Sequence, residues 1–565
     1  MQTFANYTYE RPNIPKVKEE FYQKLEQFQN AASLDAAIEA IDELNAIRNH
    51  LSTMYNLVFI RASIDTRDEF YHNERDFFDE HLPEIQELDT AFYKELLKSS
   101  FEAQLRNKYG SQLFDLAECQ IKAFSKEIIP LLQTENKLTS AYSKLIASAD
   151  INFRGESYTL AQLGPFSEDP DRKTRKEALE ARQSFFAENK EKLDSIYDDL
   201  VKTRQQIAEK LGYKNFVEVG YLRMQRIDYN AEMVERFRRQ VEEVIVPIAT
   251  KLYEKQAKRI GVDSLKFYDE SFAFSSGNAT PKGTPEWIIE NGKQMYDELS
   301  EETSEFFQYM LDRELLDLEA KKGKESGGYC TYIEDYQSPF IFSNFNGTSG
   351  DIDVLTHEAG HAFQVYSSRH FSVPEYYFPT SESAEIHSMS MEFFAYPWME
   401  TFFKEEVEKY KYAHISDAIQ FLPYGVAVDE FQHLVYENPD WTPEERNQAW
   451  RNLEKKYLPH RNYDGIESLE SGAFWQKQGH IYEDPFYYID YTLAQVCAFQ
   501  FLKKSQENRG KAWQDYIDLC KLGGSKPFLE LVQSADLQSP FEEGTVEAAV
   551  SFIEDWLENI DDQKL

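Results

Sequence analysis

Apolar residues recur at helical spacing through most of the chain. Leu193, Ile196, Tyr197, Leu200, Ile207 and Leu211 fall on one face, which predicts a helix stopped by Gly212. Asp169 is its expected N-cap, with Pro170 at the first helical position. Residues 14–60 and 75–148 read likewise as long amphipathic helices. The segment 275–285 (SSGNATPKGTP) is the clearest loop, after which Thr284 caps and Pro285 opens another helix. Strand-like segments are few. Residues 265–274 form one. Residues 329–345 (YCTYIEDYQSPFIFSNF) form a better one, starting after Gly327-Gly328 and ending at Asn346-Gly347. The sequence has no repeat at a fixed period. A division near residue 190 separates an N-terminal helical region, 1–190, from a region spanning 191–565.

Composition narrows the class. Of 565 residues, 42% are hydrophobic and 15% aromatic, enough for a sizeable core and against a disordered chain. Lys and Arg total 61 and Asp and Glu 99, a net charge of −38. Such a surface repels polyanions, so neither nucleic acid nor an anionic membrane is an expected partner. The four cysteines, Cys119, Cys330, Cys497 and Cys520, form no C-x-x-C pair and suit a reducing compartment. Residues 1–24 carry no apolar h-region, and the apolar run 244–249 is short and contains Pro. A soluble cytoplasmic protein is expected. Oligomeric state is not set by these features.

Residues 357–361 read His-Glu-Ala-Gly-His. Chance supplies at most about 0.04 H-E-x-x-H matches in a chain of this composition, so the pentad is specific. Leu355, Ala359, Ala362, Phe363 and Tyr366 place it on an amphipathic helix, with Asp351 or Asp353 as the expected cap. His357 and His361 then lie one turn apart on one face, close enough to share an ion, and neutral imidazoles suit Zn²⁺. A metal there makes water a nucleophile at neutral pH. Glu358, 100° around the helix, would take the water's proton and pass it to a leaving amine. Gly360 weakens a helix, so a close approach by another segment is expected there.

A catalytic zinc site needs a third protein ligand. Gln364 and Ser367 occupy the positions where the longer H-E-x-x-H-x-x-G-x-x-H pattern requires Gly and His, so a carboxylate on a second helix remains. Pro379-Thr380-Ser381 reads as that helix start, and Glu382, Glu385 and Glu392 lie near one face of it. Spacing does not choose among the three.

The segment HEAGHAF, followed by Glu385-x-x-Ser388-x-x-x-Glu392, resembles the thimet oligopeptidase and oligoendopeptidase F family of zinc metallopeptidases, most of all the oligoendopeptidase F branch with its Pz-peptidase-type members. GGYC (327–330), PFIFSNFNG (339–347), HIYEDPFYYIDY (480–491), DPDRKTRKEALEAR (169–182) and LGYKNFVEVGYLRMQRIDYN (211–230) extend the resemblance over about residues 150–565. It implies His357, His361 and Glu385 as ligands of one zinc ion, Glu358 as general base and Glu392 behind a ligating His. His387 departs from the family pattern and is expected to be a core residue. The resemblance also implies His480 and tyrosines of its region as substrate and transition-state contacts. Tyr488 and Tyr491 are the expected catalytic tyrosines and Tyr487 a substrate contact. Phe340 and Phe342, on a strand able to pair with an extended peptide, and Gly327 and Gly328, as mobile points, complete the expected substrate-binding set.

The expectation is a mainly α, zincin-like metallopeptidase with a small sheet beside the zinc helix. The resemblance adds a deep groove or cavity and short peptides as substrates. A metallocarboxypeptidase, a peptide-binding protein on the same scaffold and a structural zinc protein are the competing readings. An intact Glu358 argues against the second, and the absence of Cys from the motif against the third.

Overall fold

Helices dominate the computed structural model, which describes residues 2–565. The first predicted region forms two helices, Ile14–Gln29, capped by Asn13, and Leu34–Ile64, capped by Ser33. The second breaks into Glu69–Leu96, Glu102–Tyr109, Gln112–Ala123 and Ile129–Ala147. Gly110 has φ of 87°, a conformation that side chains disfavour, and Pro130 opens the last helix.

The expected cap Asp169 is displaced by Asp171, whose carboxylate accepts the N–H groups of Lys173 and Thr174. Asp169 instead accepts the N–H of Asp171. The helix Arg172–Glu188 gives way at Asn189 to Lys190–Lys210, so residue 190 falls at a helix junction. Gly212 follows with φ of 87°. Thr284 caps Pro285–Leu299 through the N–H of Trp287.

Residues 265–274 contain no strand. A single 3₁₀ turn, Phe267–Asp269, stands there, and the fully buried Asp269 is held by Arg172 at 2.6 Å and Arg175 at 2.8 Å. This charged anchor overrides the apolar pattern around it. Two short strands outside the expected strand segments, β1 (Ile151–Phe153) and β2 (Glu156–Tyr158), pair as a hairpin. Arg154 and Gly155, both at positive φ, form its turn.

Residues 329–345 are two strands. With β3 (Leu316–Glu319), β4 (Tyr329–Ile333) and β5 (Ser338–Phe345) form a sheet of order β3-β5-β4. β5 runs parallel to β3 and antiparallel to β4, and Gln337, in the left-handed region, turns the chain between β4 and β5. A strand paired on both edges is buried on nearly every residue, as β5 is.

The main hydrophobic core runs from this sheet through the helices that follow it. A second cluster joins Phe21, Leu25, Leu88, Phe92 and Phe114 of the N-terminal helices to Val373 and Tyr376. The Leu34–Ile64 helix belongs to both, giving Ile41 and Leu44 to the second and Leu57, Val58 and Ile60 to the first. No described helix is long and apolar enough to cross a membrane.

Candidate active site

The pentad lies on the helix Gly350–Ser368, here the motif helix, which leaves β5 after a short turn. Neither expected aspartate caps it in the usual way. Asp351 reaches back to accept the N–H groups of Asn346 and Gly347 at 2.9 Å each, tying the helix to the end of β5. Asp353 accepts the Tyr410 hydroxyl at 2.7 Å. A second helix, Ser381–Phe394, the companion helix, crosses the motif helix at Gly360. A Cβ at Gly360 would stand 2.7 Å from the His387 carbonyl and from the Ser388 Cα. The absent side chain is therefore what lets the two backbones meet.

That contact sets the geometry of three side chains. His357 Nε2 and His361 Nε2 each lie 3.2 Å from Glu385 Oε2. A tetrahedral zinc with bonds of ~2.0–2.1 Å keeps its ligand atoms ~3.3 Å apart, so the donor set and its spacing fit such an ion. These three residues form the one His/Cys/Asp/Glu group among the described residues whose ligand atoms gather within 4.8 Å. Burial alone would raise the Glu385 carboxyl, but His361 and His357 hold it well below the usual range.

Neighbouring groups orient this set. Glu392 Oε1 lies 2.7 Å from His357 Nδ1, and its Oε2 lies 2.8 Å from His414 Nε2. Ser388 donates to Glu385 Oε2 at 2.8 Å, and the Tyr487 hydroxyl to Glu385 Oε1 at 2.6 Å. Glu382 points elsewhere: it accepts from Thr380, and burial and Asp490 push its carboxyl up. His387 is fully buried, with Nδ1 at 2.8 Å from the Ser383 carbonyl and Nε2 without a partner. Burial lowers it to about 4.

Glu358 is 6% exposed, and its Oε2 has no hydrogen-bond partner. Burial pushes its carboxyl up while His357 and His361 pull it down. It faces a cavity of about 230 Å³ lined by the three ligand-set residues, Gly328, Tyr329, Cys330, Pro379, Tyr487 and Tyr491. A Cβ at Gly328 would stand 3.2 Å from Glu358 Oε1, so glycine keeps that wall open.

His480 stands behind the tyrosines. Gln478 Nε2 donates to its Nδ1 at 2.9 Å, which leaves Nε2 carrying the hydrogen toward the Tyr491 oxygen, 3.0 Å away. The Tyr491 hydroxyl hydrogen is then free to point into the cavity. Burial lowers the pKa of the His480 imidazole, against Asp484 and Glu385. Tyr488, expected among the catalytic donors, does not line this cavity but an adjoining one of about 340 Å³. Tyr487 and Tyr491 are one helical turn apart, and Tyr488 is rotated ~100° from that face.

Two expectations fail here. Phe340 and Phe342 are buried in the core, Phe342 stacked on Tyr329 at 4.7 Å and Phe340 against Phe4 at 4.4 Å. Their strand, β5, already has both edges paired and cannot receive a peptide. The cavity wall is β4, with Tyr329 and Cys330, which belong to the GGYC match but not to the expected substrate contacts; their place on the outer strand of a sheet has no local signal. Gly327 has φ of 90° and open space where a Cβ would stand, but it does not line the cavity.

Comparison with known proteins gives consistent matches. The sequence model described as peptidase family M3 matches residues 166–551, and that of the peptidase M3 N-terminal domain matches residues 4–124. The oligopeptidase PepF of Bacillus subtilis is 22% identical over 98% of this chain and 83% of its own length. An oligoendopeptidase F homolog of Borreliella burgdorferi is 25% identical over 70% of this chain and 69% of its own. A Pz peptidase A solved with an inhibitor is 62% identical, with a TM-score of 0.99, over 99% of this chain and 100% of that one.

Proposed function

This chain belongs to peptidase family M3, and from that premise we propose that it is a zinc-dependent oligoendopeptidase, cutting internal bonds of short peptides. The observation that carries the metal is the convergence of His357 Nε2 and His361 Nε2 on one oxygen of Glu385, beside an unpartnered Glu358 carboxylate. His357, His361 and Glu385 would hold the ion. A zinc ion so held would supply Lewis acidity for a carbonyl oxygen and lower the pKa of water.

The chain's own groups do the rest. Glu392 fixes the His357 ring through Nδ1, leaving Nε2 as the ligand atom. Tyr487 and Ser388 hold Glu385. The Glu358 carboxylate takes the proton of the attacking water and delivers it to the departing amine. Tyr491 donates its hydroxyl hydrogen to the oxygen on which charge develops, and His480 holds that hydroxyl in place.

An extended substrate fits along β4. Asn56 donates to the Tyr332 carbonyl on the edge away from β5. By the two-residue period of a strand, the peptide groups of Cys330 face the same way and lie next to the cavity. Backbone pairing there favours any extended peptide and reads little sequence.

The test is mass spectrometry of digests of a peptide length ladder, up to a small folded protein. Wild type, chelated enzyme and Glu358→Gln are compared. Internal cuts in short peptides only, lost in both controls, are expected. Stepwise loss of C-terminal residues would replace this reading with a carboxypeptidase, and no cleavage by zinc-loaded wild type with a peptide-binding role.

A further inference from the structure

A third cavity, of about 310 Å³, carries a charge unlike that of the whole chain. Its walls hold Arg175, Arg182, Arg461 and Lys477 against two carboxylates, Glu270 and Asp417. Arg461 pairs with Glu270 at 2.9 Å, and Arg175 with Asp269 at 2.8 Å. The side chains of Arg182 and Lys477 have neither a hydrogen bond nor an ion pair among the described residues. Lys477 Nζ instead lies over the Phe474 and Tyr424 rings, 4.4 and 5.5 Å from their centres. Two unpaired cations thus share one half-buried cavity in a protein of net charge −38.

The cavity neighbours the candidate active site through shared walls. It shares Asp417 and Phe421 with the cavity that holds Tyr488, and that cavity shares Tyr491 with the one at Glu358. A hydrogen-bonded chain follows the same route. Tyr424 donates to Gln478 Oε1 at 2.9 Å, Gln478 meets His480 at 2.9 Å, and His480 meets Tyr491 at 3.0 Å. The Phe421 and Tyr491 rings alone are 6.4 Å apart, close to two extended residues at ~3.3 Å each.

We propose that Arg182 and Lys477 bind a carboxylate of the peptide substrate, at a distance of more than one residue from the bond being cut. This rests on the peptidase reading above. A carboxylate gains most where cations lack other partners and water is partly excluded. Burial beside Arg182 and Arg461 pulls Lys477 down to about 7, a cost that an incoming anion removes. Asp417, which faces the same space, is itself pushed up to about 7 by burial and by Asp353 and opposes the anion only weakly near neutrality. A grip so far from the metal ligands holds the end of a short peptide, or an acidic side chain within it, while an internal bond sits at Glu358.

One peptide cut by the wild type is made in three forms: free acid, C-terminal amide, and amide with Glu as its last residue. KM and kcat are measured for the wild type, Arg182→Gln, Lys477→Met, the double variant and Arg182→Lys. The wild type is expected to favour a carboxylate form over the plain amide on the order of 10- to 100-fold, through KM. The form preferred identifies the C-terminus or the side chain as the source. The double variant should lose the preference while cutting the plain amide as the wild type does, and Arg182→Lys should regain part of it. Equal handling of all three forms by the wild type, or an unchanged preference in the folded double variant, overturns the proposal. Calorimetric binding of the same peptides to zinc-loaded Glu358→Gln needs no turnover. It therefore decides the matter separately if the peptidase reading fails.

Discussion

Glu358→Gln keeps the shape of a buried side chain and removes its basicity. The expected loss in kcat is ~10²–10⁴-fold with zinc content unchanged, checked by steady-state kinetics and metal analysis of the same preparation. Tyr491→Phe should cost ~10²–10³-fold, because its hydroxyl faces the cavity, whereas Tyr488→Phe should leave kcat near that of the wild type. The pentad was legible because two histidines at helical spacing carry their geometry with them. Glu385 was not separable from Glu382 by spacing. What distinguishes them is company, since Glu382 sits against Asp490 and Thr380 and Glu385 against two imidazoles. Phe340 and Phe342 misled because an aromatic residue on a strand reads alike whether it faces a core or a ligand.

Between elements, the decisive contact is the crossing at Gly360. Gly360→Ala would force its Cβ against the His387 carbonyl and Ser388 Cα, neither of which can swing aside. A loss of about 1–3 kcal/mol is expected. Because Glu385 rides on the displaced helix, zinc retention should weaken as well. Thermal melts with and without a competing chelator measure both effects. Helix starts such as Thr284-Pro285 were legible because capping is local chemistry. The central position of β5 was not, because its parallel partner β3 lies upstream, across β4 in the sequence. The absence of a strand at 265–274 follows from Asp269 meeting arginines almost a hundred positions away.

The whole molecule is tied together by buried ion pairs between distant segments. Glu135 sits between Arg204, at 2.7 Å, and Arg223, at 2.9 Å, from three different helices. Burial alone would raise its carboxyl, but Arg223 and Arg204 outweigh burial and lower it. A folded pKa below the unfolded value of ~4.3 contributes stability above that pH, which is lost as the pH falls through the folded pKa. The melting temperature should therefore drop steeply below pH ~4. Glu135→Gln, which leaves the fully buried Arg204 uncompensated, should destabilise by about 3–5 kcal/mol at neutral pH and flatten part of that acid dependence.

The Leu34–Ile64 helix contributes side chains to two hydrophobic clusters, one at each of its ends. Neither cluster can come apart without fraying a rod that the other also holds. Amide protons at Leu44 and at Leu57 should accordingly exchange with deuterium at matched slow rates, through one shared opening event. A nick by a protease within that rod would loosen the sheet and the N-terminal bundle together.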